Sequence, residues 1–109
     1  MRKNENQYNG WTNYETWSVS LWISNNQHDN EFWADAASRC LEDAGNDSDV
    51  QTLNLSVRQV ARFRLANQLK DVTLNNSPLS EPSLYSDLLA ASLREVNWEE
   101  VANSWLNEL

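Results

Sequence analysis

The chain has 109 residues, with sixteen acidic against eight basic side chains and a formal net charge of −8. That balance opposes non-specific binding to nucleic acid, because a phosphate-binding surface gains from counterion release only where Lys and Arg dominate. One cysteine excludes an intrachain disulfide, two glycines and two prolines are too few for the turns of a β-sandwich, and no apolar run approaches the roughly 20 residues that span a bilayer.

A chain of this length buries roughly two thirds of its unfolded surface, so a single domain over residues 1–109 needs no metal or disulfide staple. The first ten residues, "MRKNENQYNG", carry two bases but no apolar stretch behind them. They do not read as a secretory signal, and residues 1–11 are expected to form a flexible segment. With the lone thiol, this suits a reducing cytoplasm, that of a bacterial host cell.

The next stretch, "NGWTNYETWSVSLWISNN", holds three of the six tryptophans. Trp17, Val19, Leu21 and Ile23 alternate as a strand would, yet Tyr14, Trp17, Leu21 and Trp22 also fit a helix. Thr12 and Glu15 ahead of them form a capping-box pattern, and the remaining chain offers a strand no partner, so a helix is predicted. Apolar over most of its circumference, it should be the central helix of its domain.

Asp29 or Asn30 can cap a second helix starting near Glu31, with Trp33, Ala36, Ala37, Cys40, Leu41 and Ala44 as its apolar stripe and Gly45 as a left-handed stop. The polar run "GNDSDVQTLNL" reads as a loop. Ser56 and Gln59 form another capping box ahead of a stripe of Val57, Val60, Ala61, Leu65, Leu69 and Val72. After the loop "TLNNSPLSEP", Pro82 suits a first helical position before Leu84, Leu88, Leu89, Leu93 and Val96. Asn97 can cap a last helix with Trp98, Val101, Ala102, Trp105 and Leu106 on one face. The prediction is an all-α, compact bundle of about five helices, with Trp17, Trp22, Trp98 and Trp105 in one Trp-rich core.

Two blocks, Gly10 to Ile23 and Val96 to Ala102, make the chain resemble a family of small domains of unknown function from bacteriophages, plasmids and assorted prokaryotes. The shared patterns are G-W-x-N-Y-E-T-W-x-V-x-L-W-I and V-N-W-E-E-[IV]-A. The resemblance brings no biochemical activity with it. It implies a mobile-element setting, in which small acidic proteins antagonise host defence, as an anti-CRISPR-like inhibitor does.

Catalysis needs convergent acids, bases, nucleophiles or metal ligands. His28, the lone histidine, lies in the polar run "NNQHDN", which reads as a solvated loop, and Cys40 falls on an apolar stripe. No CxxC, HExxH or phosphate-binding glycine loop is present, so no enzyme, cofactor or metal is expected. Asp29, Glu31, Asp35, Glu42, Asp43, Asp47 and Asp49 face Arg39 alone between residues 29 and 49. Spaced carboxylates of this kind can occupy a basic groove made for DNA or RNA. Trp11, Phe32 and Phe63 lie off the apolar stripes and are candidate aromatic anchors. The expected partner is therefore a basic nucleic-acid-binding host protein, with no membrane and no direct nucleic acid. In the alternative, Arg58, Arg62 and Arg64 on the third helix serve a small DNA- or RNA-binding regulator.

Overall fold

The structure, a computed structural model, describes residues 8–46, 56–79 and 81–109. Five helices account for most of them: α1 (Tyr14–Asn25), α2 (Gln27–Gly45), α3 (Val57–Asn75), α4 (Leu84–Arg94) and α5 (Trp98–Leu106). Among the described residues there is no strand, only an isolated bridge between Tyr8 and Trp11. The all-α class follows, and the opening tryptophan-rich stretch is helical.

Local chemistry sets where each helix starts. Ser56 and Gln59 close the predicted capping box of α3, through hydrogen bonds of 2.9 and 3.0 Å. Asn97 caps α5, its Oδ1 accepting from the Glu100 N–H at 3.1 Å. Three starts differ from the sequence pattern. Asn13, not Thr12, caps α1: its Oδ1 accepts from the Thr16 N–H at 2.9 Å, while its Nδ2 donates to the Glu95 carbonyl at 2.7 Å. An Asn amide both accepts and donates, so one side chain serves the cap and a tertiary contact, which a Thr hydroxyl could not reach so readily. The Thr12 N–H donates instead to Glu100 Oε1 at 3.1 Å.

Asn26, rather than Asp29 or Asn30, caps α2, accepting from the Asp29 N–H at 3.2 Å. The run containing His28 is thus the first turn of α2 and not a loop, and His28 is exposed on it. Asn26 is also the only residue between α1 and α2. Before α4, Ser83 and Ser86 form a reciprocal box at 2.8 and 3.0 Å, leaving Pro82 just outside the helix. Gly45 ends α2 without a left-handed turn: positive φ among the described residues occurs only at Asn9 (48°) and Gly10 (86°). Those two residues form the tip of a tight turn in which Tyr8 and Trp11 exchange backbone hydrogen bonds of 2.8 and 2.9 Å. An Asn-Gly pair suits such a turn because both central residues need positive φ.

The core lies between α2, α3 and α5. Trp33, Ala36, Ala37, Cys40 and Ala44 of α2 meet Val60, Ala61, Leu65, Ala66 and Leu69 of α3, and Val101, Ala102, Trp105 and Leu106 of α5. The alanines keep side-chain volume low and let these helices approach closely. The predicted centrality of α1 does not hold. Its single fully buried residue is Thr16, and Trp22 is 75% exposed. A helix apolar on every side can bury only the side it turns to its neighbours, and α1 touches just α2 and α5 closely. The four-tryptophan core is likewise corrected. Trp105 is buried and Trp98 packs beside the core, but the second core tryptophan is Trp33. Trp17 stays half-buried in a separate cluster with Tyr8 and Tyr14, ring centroids 4.8 and 5.5 Å away.

Replacing Trp105 by alanine should therefore cost about 3–5 kcal/mol in chemical denaturation, whereas Trp22→Ala should change stability by no more than about 0.5 kcal/mol. Equal losses at the two sites would contradict this placement of the core.

Candidate functional site

The acidic stretch divides once it is wound into α2. At about 100° per residue, Glu31, Asp35 and Glu42 fall within some 40° of one another, opposite the Trp33/Ala37/Cys40 side. All three are exposed. They form a straight line of carboxylates with axial steps of about 6 and 10 Å. Asp43 and Phe32 lie to one flank and are exposed, Phe32 with its ring edge-on to Trp33 at 4.9 Å. Arg39 pairs with Asp35 at 3.0 Å, both well exposed, a contact of small energetic value. Asp29 departs from this line: its position is on the core side of α2, where it is half-buried. Asp47 and Asp49 lie outside the described residues.

The arginines of α3 do not share one face. Arg58 donates to Asn107 Oδ1, and Arg62 pairs with Glu99 at 3.5 Å as an ion pair without a hydrogen bond, while lying 5.8 Å from the Phe63 ring centre. Both are turned towards α5. Arg64 lies about 120° around the helix from Arg58 and about 160° from Arg62, and its charge acts on Cys40 of α2. Of the candidate aromatics, Phe32 and Phe63 are about half exposed, but Trp11 packs against the core.

A second surface escaped the sequence pattern. Helix α4 has no fully buried residue; Leu89 and Leu93 turn inward, while Leu84, Tyr85 and Leu88 are 67, 70 and 58% exposed. Asn13 meets Glu95 just past the end of α4, and Leu89 and Leu93 line cavities with residues from both ends of α1, so α4 lies beside α1. Between them lies a groove of about 470 Å³ floored by Val19, Leu89, Leu93 and Val96 and walled by Tyr14, Glu15, Ser18 and Ser92. Trp22 projects from the same side of α1 as Glu15 and Ser18, by its helical position. A second cavity of about 360 Å³ shares Leu89 and Leu93 with the groove and holds Asp29 beside Ile23, Trp33 and Val72. The signal available in sequence was the excess of apolar positions on α4: Leu84 and Leu88 stand roughly 100–180° from Leu89 and Leu93, too far for one buried stripe to hold all four.

Residues 4–103 match the model of a family described as a family of unknown function (DUF7249). The chain belongs to this family. The DUF7249 match takes in both surfaces, the carboxylate line of α2 and the groove between α1 and α4. No curated protein and no solved structure matches the chain.

Among the described residues, no three His, Cys, Asp or Glu side chains converge as metal ligands would, and no helix is long and apolar enough to cross a membrane. Burial pushes the Cys40 thiol above its ordinary value of 9.0, with Asp43 adding to the shift. A raised pKa keeps the thiol neutral, so its contribution to stability is whole below pH 9.0 and lost as the pH climbs above it. The thiolate is the nucleophile, so Cys40 should label with a disulfide reagent at neutral pH only as the chain unfolds, and rapidly once it has. Fast labelling of the folded chain would show the thiol to be accessible.

Proposed function

We propose that this chain is a non-catalytic protein-binding module that docks the carboxylate line of α2 on a basic, nucleic-acid-binding protein. The observation that carries this reading is the alignment of Glu31, Asp35 and Glu42 on the exposed pole of α2, with Arg39 the one base among them. Their axial steps of about 6 and 10 Å place negative charge at short intervals along one line, as a nucleic-acid strand does in a groove built to hold phosphates. Phe32 beside the line adds an aromatic of the kind that anchors interfaces. The alternative, direct nucleic-acid binding through α3, finds less support: Arg58 and Arg62 are engaged with α5, and Arg64 points elsewhere.

The phage and plasmid setting implied by the sequence blocks makes host defence effectors, CRISPR-type complexes included, the first partners to test. Association should weaken steeply with salt, because it rests on exposed charge. Asp35→Lys with Glu42→Lys should lower affinity at least about tenfold, since like charges would then face each other, and should leave the thermal melt nearly unchanged. Salt-independent binding, or full affinity in the folded double variant, would defeat the proposal.

A further inference from the structure

The groove between α1 and α4 is a second surface, independent of the carboxylate line. Its floor is apolar, from Val19, Leu89, Leu93 and Val96. By helical position Trp22 falls on the Ser18 side of α1 and Tyr85 on the Leu89/Ser92 side of α4; they are 75 and 70% exposed, with Leu88 at 58%. Neither this groove nor the adjoining cavity is lined by a basic residue. Each instead contains one half-buried carboxylate, Glu15 in the groove and Asp29 in the cavity. By contrast, the gap on the other side of α4 is lined by Lys70 and Arg94.

As a first-turn acid of α2, Asp29 favours the positive end of its own helix, which accounts for its place in sequence. It does not account for a half-buried carboxylate in a cavity that Ile23, Trp33, Val72 and Leu89 line together with Thr73, Asn76 and Ser77, none of them a cation. Such a group is held more favourably when a cation sits opposite. We infer that the α1–α4 groove seats an amphipathic helix of a partner protein, its apolar residues on the groove floor and against Trp22 and Tyr85, with Lys or Arg reaching Glu15 at one end and Asp29 at the other.

Two neighbouring helices with an apolar furrow between them can take a third helix by ordinary ridge-and-groove packing. The α1 residues along the furrow, Glu15 to Ile23, extend about 12 Å, so the partner's two bases lie about two turns or more apart. Charge decides against a second copy of this chain as the occupant, because two surfaces from molecules of net charge −8 would meet. It also decides against an acidic or neutral helix, which would leave both carboxylates uncompensated.

The probe is a synthetic Leu/Lys amphipathic helix about 18 residues long, titrated calorimetrically into the full chain, with a Leu/Glu peptide of the same pattern as its counterpart. The Leu/Lys peptide should bind and the Leu/Glu peptide should not. Trp22→Ser with Tyr85→Ser should weaken binding at least about tenfold at unchanged net charge and unchanged thermal melt. Glu15→Gln with Asp29→Asn should weaken it by a similar factor, while Asp35→Asn with Glu42→Gln, the same change of charge on α2, should stay within about twofold. Equal losses from the two carboxylate pairs would overturn the proposal, since the peptide would then be following net charge alone. So would a chain that sediments as a dimer and becomes monomeric on Trp22→Ser, which would give the groove to a second copy. Loss of α2 partner binding with peptide binding intact would defeat the proposed function and leave this one standing.

Discussion

One buried hydroxyl ties the two ends of the chain together. Thr16 is fully buried in α1, and its Oγ1 donates to Asn13 Oδ1 at 2.6 Å while accepting from the Asn97 N–H at 2.9 Å. Asn13 caps α1 and Asn97 caps α5, so a single side chain links the caps of the first and last helices. Two flanking bonds, Asn13 to Glu95 and Thr12 to Glu100, brace the same junction. A buried polar knot of this sort is stable only when all its members are satisfied, which fixes the relative placement of the two helices more narrowly than apolar packing alone. It also determines the groove. Helix α4 ends at Arg94, immediately before the junction, so its last turn is held close to the start of α1.

The two candidate surfaces arise from opposite failures of burial. On α2 the apolar stripe is complete, from Trp33 to Ala44, and Glu31, Asp35 and Glu42 align on the far side, with only Asp29 turned towards the core. On α1 and α4 there is more apolar surface than there are neighbours to receive it. Core space is already filled by α2, α3 and α5, and the outer two helices retain Trp22, Leu84, Tyr85 and Leu88 in contact with water. Isolated exposed apolar residues are ordinary, but a furrow flanked by several of them is not.

Much of this was legible in the sequence, for reasons that differ by element. The stripes of α2, α3 and α5 repeat at three- and four-residue steps, and most of their members are buried because the three helices pack mutually; Val57 and Val72, at the two ends of α3, lie beyond that packing and are exposed. Caps were legible at Ser56 and Asn97, but not at Asn26 or Ser83, where neighbouring Asp29, Asn30 and Pro82 offered competing starts. They were not legible at Asn13, where the choice over Thr12 depends on Glu95 and Glu100, more than eighty residues away. The role of α1 was hidden by its composition: density of tryptophan suggested a centre, but only packing shows which side of a wholly apolar helix is covered. Asp29 was grouped with the other acids because sequence proximity ignores helical phase; on α2 it turns inward while Glu31 turns outward.

The uneven burial of the tryptophans has an optical consequence. Trp33 and Trp105 are enclosed by hydrocarbon, whereas Trp22 is surrounded mainly by water. The emission of the folded chain is therefore a composite of separate environments. Collisional quenching by a small solute will reach Trp22 long before it reaches the enclosed pair. A change confined to the quenched fraction reports the outer helices, and a shift in the protected fraction reports the three-helix centre, so one spectrum distinguishes events at the surface from loss of the fold.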